Sequence, residues 1–177
     1  MNNHQNLIRY PVRPQNGGVS VDIYGTTSKI TGIDLQPAES SQSAPDTGVI
    51  PDFYRDLSSI LLNYLENDIA FDNAAVFHQF PFSEAGMTNF QRRCYAVILH
   101  VPFGYTITYG AVAWAIGNPQ ASRAVGGAMR ANSFPLVIPC HRVVGETSLG
   151  GFMGSRANLT LDVKQELLNL ESIEIET

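Results

Sequence analysis

At 177 residues, with 44% hydrophobic and 15% charged side chains, the chain can bury one large core or two small ones and is too apolar for a disordered segment. It holds no apolar run of about 18 residues, which excludes a membrane-spanning helix, and its polar start, MNNHQNLIRYPVRPQNGG, lacks the apolar stretch of a secretory leader. The net charge of −5 argues against a uniformly basic nucleic-acid binder, yet residues 1–87 carry four basic and ten acidic side chains whereas residues 88–171 carry seven basic and four acidic, so the second half presents a local positive field suited to phosphates.

Residues 1–18, rich in Asn, Gln, Pro and Gly, read as a loosely attached arm. Val19–Tyr24 alternates apolar and polar side chains, and Lys29–Leu35 does so less regularly. With Gly25-Thr26-Thr27-Ser28 between them they predict a β-hairpin. Pro37–Pro51 is a loop by composition. Asp52 opens a helix whose Phe53, Leu57, Ile60, Leu61, Tyr64 and Leu65 share one face, and Phe77–Phe82 reads as a strand or an extended linker. This half, residues 1–87, is a small α/β unit in which nothing proposes a reaction.

A second unit, residues 88–177, begins where Thr88-Asn89-Phe90-Gln91 has the spacing of a capping box and predicts a helix to about His100, broken by Pro102-Phe103-Gly104. Thr108 caps a short helix, Tyr109–Ile116, ending at Gly117. Asn118 and Pro119 predict the start of another, running to about Ala131. Two short helices joined through a glycine-containing turn form a helix-turn-helix candidate. The second helix is built from small residues, Ala121, Ser122, Ala124, Gly126 and Gly127, around Arg123, with Arg130 near its end. Two interior glycines cost about 1 kcal/mol each relative to alanine. Either this face packs tightly inside the protein, or it approaches another backbone such as a nucleic-acid groove with Arg123 projecting from it.

Phe134–Ile138 reads as an extended apolar run that delivers Cys140 from the core. Gly145–Phe152 reads as a hairpin or wing. A final helix, about Leu161–Glu171, puts Val163, Leu167 and Leu170 inward. The run Ile138-Pro139-Cys140-His141-Arg142-Val143-Val144 is the chemically distinctive segment. An apolar frame alone raises a thiol's pKa and makes it inert, whereas an adjacent base or cation favours the thiolate. Cys94 has no such neighbour and reads as packing. Two cysteines are too few for a disulfide framework or a cysteine-rich zinc site, and a free reactive thiol suits a reducing, cytoplasmic compartment, or the nucleus in a eukaryote.

Ordered blocks across residues 90–171 carry a resemblance. They are Phe90-Gln91, Pro102-Phe103-Gly104, Thr108-Tyr109, Gly117-Asn118-Pro119, Arg123-Ala124-Val125-Gly126, Asn132, Ile138–Val144, Leu149-Gly150-Gly151-Phe152 and Leu167-Leu168-Asn169-Leu170-Glu171. Together they resemble the O6-alkylguanine-DNA alkyltransferases, the methylated-DNA–protein-cysteine methyltransferases. Residues 1–87 match that family only in general layout. The resemblance implies a small N-terminal α/β, RNase H-like domain followed by a C-terminal winged helix-turn-helix domain. It implies repair by a single, irreversible transfer of an alkyl group from O6-alkylguanine in duplex DNA to Cys140, with O4-alkylthymine left open as a second substrate. A thiolate is the soft nucleophile such a carbon needs, and a thioether, unlike a thioester, is not hydrolysed.

By position, the resemblance makes His141 and Glu171 the groups that polarise the thiol, Tyr109 the proton donor to the leaving guanine, and Asn132 the residue that orients the cysteine turn. It makes Arg123 the finger that fills the space left by an extruded nucleotide, with Ala121, Ser122, Ala124, Gly127 and Arg130 along the minor groove. Pro135, Val143, Phe152 and Met153 would line the base pocket. Phe152-Met153-Gly154-Ser155 departs from the family's Tyr-Ser-Gly-Gly, a change expected to narrow the pocket for bulky adducts such as benzyl. The ligands of the family's occasional N-terminal zinc site are not evident, His78 standing alone, so no metal and no cofactor are expected, and the protein is expected to act as a monomer with duplex DNA as its partner. Three other readings remain: a lesion binder without chemistry, a thiol hydrolase using Cys140 and His141, and a helix-turn-helix transcription factor.

Overall fold

The computed structural model describes residues 8–36, 49–67, 69–151 and 161–172. Three strands, β1 (Ile8–Val12), β2 (Ser20–Gly25) and β3 (Ile30–Gln36), form an antiparallel sheet in the order β1-β2-β3. The hairpin expected from residues 19–35 is present, with Ile23 opposite Ile33 and Val21 opposite Leu35. The expected loose arm is corrected: Ile8–Val12 is a strand paired along its length with β2, Tyr10 opposite Ile23. The composition of the arm concealed what holds it. Arg9 and Arg13 each reach a carboxylate oxygen of the buried Asp22 at 2.5 Å, tying β1 to its neighbour. The turn between β2 and β3 requires glycine at position 25, where a Cβ would run into the Lys29 carbonyl and the Tyr54 hydroxyl.

Helix α1 (Asp52–Asn67) packs on this sheet. Leu57, Leu61, Tyr64 and Leu65 are buried as the periodicity predicts, and so is Tyr54, whose hydroxyl donates to the Thr26 carbonyl at 3.0 Å. The strand or linker expected over Phe77–Phe82 is corrected. Its first part belongs to helix α2 (Asn73–Gln79), which Asp72 caps by accepting from the Ala75 N–H. Only Phe82 then joins the sheet, through a bridge to Ile30.

Helix α3 (Asn89–Ile98) opens on a reciprocal capping box between Thr88 and Gln91, as its sequence predicts. A two-residue strand β4 (Ile107–Thr108) leads into α4 (Tyr109–Ala115), capped by Thr108 and followed by Gly117 with φ +72°. Helix α5 (Ser122–Arg130) starts later than expected. Asn118-Pro119-Gln120-Ala121 instead closes a turn of its own, the Ala121 N–H donating to the Asn118 carbonyl at 2.9 Å. Asn at the first and Pro at the second position of a turn satisfy the same preferences that suggested a helix start.

Phe134–Ile138 is not an extended run either. The Ile138 N–H donates to the Phe134 carbonyl at 2.8 Å, and Leu136 sits at φ +68°, a left-handed conformation uncommon for a leucine. After it come a 3₁₀ turn, Cys140–Arg142, and a short strand β5 (Val143–Val144) that pairs in parallel with β4. Helix α6 (Leu161–Leu170) buries Val163, Leu167 and Leu168, together with Lys164. The fold is mixed α/β, and nearly all of the buried apolar side chains among the described residues form one cluster running from Ile8 to Leu167. Contacts across the midpoint of the chain tie the halves together: the Ile33 N–H donates to the Ser133 carbonyl at 2.8 Å, and the Phe82 and Phe134 rings lie 5.0 Å apart. Among the described residues no helix is long and apolar enough to cross a membrane.

Candidate active site

Cys140 opens the 3₁₀ turn and is almost wholly buried, 3% exposed. Asn132, buried just beyond the end of α5, straps the chain around it. Its side-chain N–H groups donate to the Ile138 carbonyl at 2.9 Å and to Cys140 Sγ at 3.2 Å, while its Oδ1 accepts from the Phe134 N–H at 2.9 Å. One amide thus both closes the strained turn and holds the thiol. Burial pushes the Cys140 thiol above its ordinary pKa, against the Asn132 bond and the nearby charge of Lys164, which favour the thiolate.

His141 and Arg142, its neighbours in sequence, do not form a cationic collar around the sulfur. Both turn towards Glu171, just beyond the last turn of α6. His141 Nε2 lies 2.9 Å from Glu171 Oε1. Because an ionised carboxylate only accepts, Nε2 carries the hydrogen and Nδ1 is left as the acceptor. Arg142, 1% exposed, donates from Nε to both carboxylate oxygens (3.1 and 2.9 Å) and from Nη2 to Oε1 at 2.8 Å. Its Nη1 reaches Asn73 Oδ1 and the Val101 carbonyl, each at 2.7 Å. The Gly104 N–H and the Tyr64 hydroxyl complete the set, at 3.2 and 2.5 Å. Burial alone would raise the Glu171 pKa, but the bonds from His141 and Arg142 override it and hold the carboxyl at about 2. Burial also lowers the His141 pKa against the pull of Glu171, so the imidazole is neutral near pH 7.

The partners of this array that sequence reasoning missed come from far along the chain. Asn73, at the start of α2, holds Arg142 and also donates to the Leu136 and Val137 carbonyls at 2.7 and 2.9 Å. Tyr64 comes from α1. Lys164, fully buried on α6, donates to the carbonyls of Val143, Leu149 and Gly151 at 2.7, 2.6 and 3.2 Å, and burial lowers its pKa to about 8. The sequence offers little signal for them: Lys164 lies among Asp162, Gln165 and Glu166, Asn73 follows Asp72, and Tyr64 reads as part of the apolar face of α1.

Tyr109, at the first position of α4, donates its hydroxyl to the Gly151 carbonyl at 3.0 Å, and burial raises its pKa. Gly150, at φ +69°, lies against its ring, where a Cβ would collide with it. On α5, Arg123, Ala124, Gly127 and Arg130 are exposed, and Ala121 and Ser122 are half-buried. Among the described residues a Cβ at Gly127 would meet nothing within 4 Å, so close packing against them does not explain that glycine. Pro135 and Val143 are buried beside the cysteine turn. Phe152 and Met153 lie outside the described residues, as does the rest of the expected pocket loop, whereas the expected wing is described up to Gly151 and holds a turn in which the Gly145 N–H donates to the Ser148 carbonyl at 2.9 Å. Among the described residues no three His, Cys, Asp or Glu side chains come together as a metal site.

A small sheet and its helix thus sit against a helical half that buries a free thiol, Cys140, next in sequence to a buried His–Glu–Arg array. Residues 89–173, just under half of the chain, match the family model described as the 6-O-methylguanine DNA methyltransferase DNA-binding domain. The constitutive methylated-DNA–protein-cysteine methyltransferase of Bacillus subtilis is 40% identical over 94 residues, covering 52% of this chain and 54% of that one. The chain spans about half the length of the curated relatives it matches. Structural similarity reaches further. The O6-methylguanine-DNA methyltransferase of Pyrococcus kodakaraensis KOD1 superimposes with a TM-score of 0.69 at 26% identity, covering 94% of this chain and 99% of that one. The Mycobacterium tuberculosis OGT solved in complex with DNA gives 0.68 at 27%, covering 94% and 92%.

Proposed function

We propose that this protein repairs DNA by moving an alkyl group from O6-alkylguanine onto Cys140, once per molecule. It is on this reading a methylated-DNA–[protein]-cysteine S-methyltransferase that consumes itself. The single observation that carries the reading is the buried Cys140 thiol, strapped by Asn132 and backed by His141 and Glu171, within a segment that matches a methyltransferase DNA-binding domain.

The step balances as a displacement. The thiol proton leaves towards His141 Nδ1 through a water, while Nε2–H stays on Glu171. The sulfur electron pair forms the S–C bond as the C–O6 bond breaks, and the guanine that departs takes a proton from the Tyr109 hydroxyl. The Tyr109 hydroxyl must then leave the Gly151 carbonyl it holds in the resting state. Asn132 keeps the nucleophile aimed, and Pro135, Val143, Phe152 and Met153 surround the base.

A thiol this deep reaches only a base that has left the stack, which supports nucleotide flipping. The open, small-residue face of α5 supports entry into the minor groove, with Arg123 occupying the gap and Ala121, Ser122, Ala124, Gly127 and Arg130 against the backbone. We extend the same reading to the architecture: residues 1–87 as an RNase H-like domain, residues 88–177 as a winged helix-turn-helix, the whole acting as a monomer in the cytoplasm or nucleus without a metal or cofactor. The test is an intact-mass and peptide-map measurement after incubation with a duplex carrying one O6-methylguanine. The expected result is a single added methylene on the Cys140 peptide, saturating at one per molecule and abolished in Cys140→Ala while duplex binding persists. Tight lesion binding with no mass change would overturn transfer in favour of a lesion-flagging role.

A further inference from the structure

We infer that Tyr64, contributed by helix α1 of the N-terminal half, is a positioning residue for the reacting thiol that acts by tuning the Glu171–His141 pair. The inference rests on the alkyl-transfer reading above. The Tyr64 ring is fully buried and wedged edge-on against Phe71 and Phe103, with centroids 5.6 and 6.0 Å away. That packing leaves its hydroxyl no freedom, and it donates to Glu171 Oε1 at 2.5 Å while lying 3.3 Å from His141 Nε2. It therefore stands at the oxygen through which Glu171 addresses the histidine. The shortest bond to that oxygen comes from Tyr64 rather than from His141, at 2.9 Å, or Arg142, at 2.8 Å.

Each donor to Oε1 draws negative charge from it. A phenol sharing the oxygen leaves less charge to stabilise an imidazolium and so restrains proton transfer from Cys140 to His141. The other groups facing the pair are the Arg142 guanidinium, the Lys164 ammonium, the Gly104 N–H and the Cys140 thiol itself. Unlike the Arg142 guanidinium or the Gly104 N–H, the Tyr64 hydroxyl is a donor whose strength a side-chain change can alter without moving a charge or the backbone. Tyr64 thereby gives the N-terminal half a direct part in the chemistry.

The test is the rate of methyl transfer from O6-methylguanine duplex under single-turnover conditions, followed across about pH 5.5 to 9. In Tyr64→Phe the rising limb, which reports His141 as the base, is expected at higher pH, by about half a unit. Tyr54→Phe, which removes a buried hydroxyl from the same helix away from the site, serves as the stability control and is expected to leave the limb in place. Because Tyr64→Phe can fail to fold, 3-fluorotyrosine placed at position 64 supplies a stronger donor of nearly the same shape. Its limb is expected at lower pH than that of the wild type. A limb that stays put in both Tyr64 variants, or moves in the same direction in both, overturns the proposal. Absence of any transfer by the wild-type protein overturns the alkyl-transfer reading and this inference with it.

Discussion

Replacing Arg142 by Met leaves the carboxylate of Glu171 buried without its counter-ion, and the structure sets the size of the effect. Three of the guanidinium's bonds go to Glu171, and two more satisfy Asn73 Oδ1 and the Val101 carbonyl. Breaking a buried pair by removing one partner costs about 3–5 kcal/mol. A second route gives a similar figure. A carboxyl held near 2 rather than near its ordinary value contributes about 3 kcal/mol at neutral pH, part of it from His141. Because the folded pKa is the lower one, that stability is present above about pH 4.5 and is lost as pH falls towards 2. Arg142→Met is therefore expected to lose about 4 kcal/mol at pH 7, roughly 10 °C or more in Tm, and markedly less near pH 4. Urea unfolding at both pH values measures this. Adding Glu171→Gln to Arg142→Met is expected to recover about 2 kcal/mol, since the orphaned charge is then gone. A single variant within about 1 kcal/mol of wild type at pH 7, or a double variant less stable than the single, refutes the argument.

Other positions give simpler readouts. Gly25→Ala drives a methyl into the Lys29 carbonyl and the Tyr54 hydroxyl, and a loss of at least about 2 kcal/mol is expected in urea unfolding; a loss under about 0.5 kcal/mol would mean the turn relaxes freely. Gly127→Ala meets no neighbour among the described residues, so it should gain up to about 1 kcal/mol in stability from helix propensity while weakening duplex affinity measured by anisotropy. Lower stability would disprove the open face, and unchanged affinity would remove α5 from the DNA surface. Lys164→Met releases three carbonyls around the Tyr109 partner loop and should cost about 2–3 kcal/mol, checked by thermal melting, with a neutral outcome showing that water replaces the ammonium there.

How much of this was legible in the sequence depended on the range of the interaction. Local signals succeeded: the Thr88 capping box, the Thr108 cap, the β2–β3 hairpin and the apolar face of α1 are decided within a few residues. Signals with two local solutions failed. Asn118-Pro119 satisfied a turn before it satisfied a helix, and the apolar residues 134–138 folded into a turn because the Asn73 and Asn132 side chains, from elsewhere, bind their carbonyls. Strand β1 depended on Asp22 meeting two arginines across the ladder, a contact no window of composition contains.

The cysteine segment combines both cases, and its misreading is instructive about the chemistry. Adjacency of Cys140, His141 and Arg142 suggested a thiolate stabilised directly by its neighbours. In a 3₁₀ turn successive side chains point in different directions, and the structure sends Arg142 to Glu171 instead. The consequence is a division of labour. Arg142 keeps Glu171 ionised, Glu171 fixes the hydrogen on His141 Nε2, and the thiol is left in an apolar frame where burial keeps it protonated. On the proposed reaction, such a thiol is protected while no substrate is present, because a buried neutral sulfur is a poor target for oxidants and stray electrophiles. Its activation then needs only a proton shift inside a preset array. That suits a protein whose one nucleophile can be used only once.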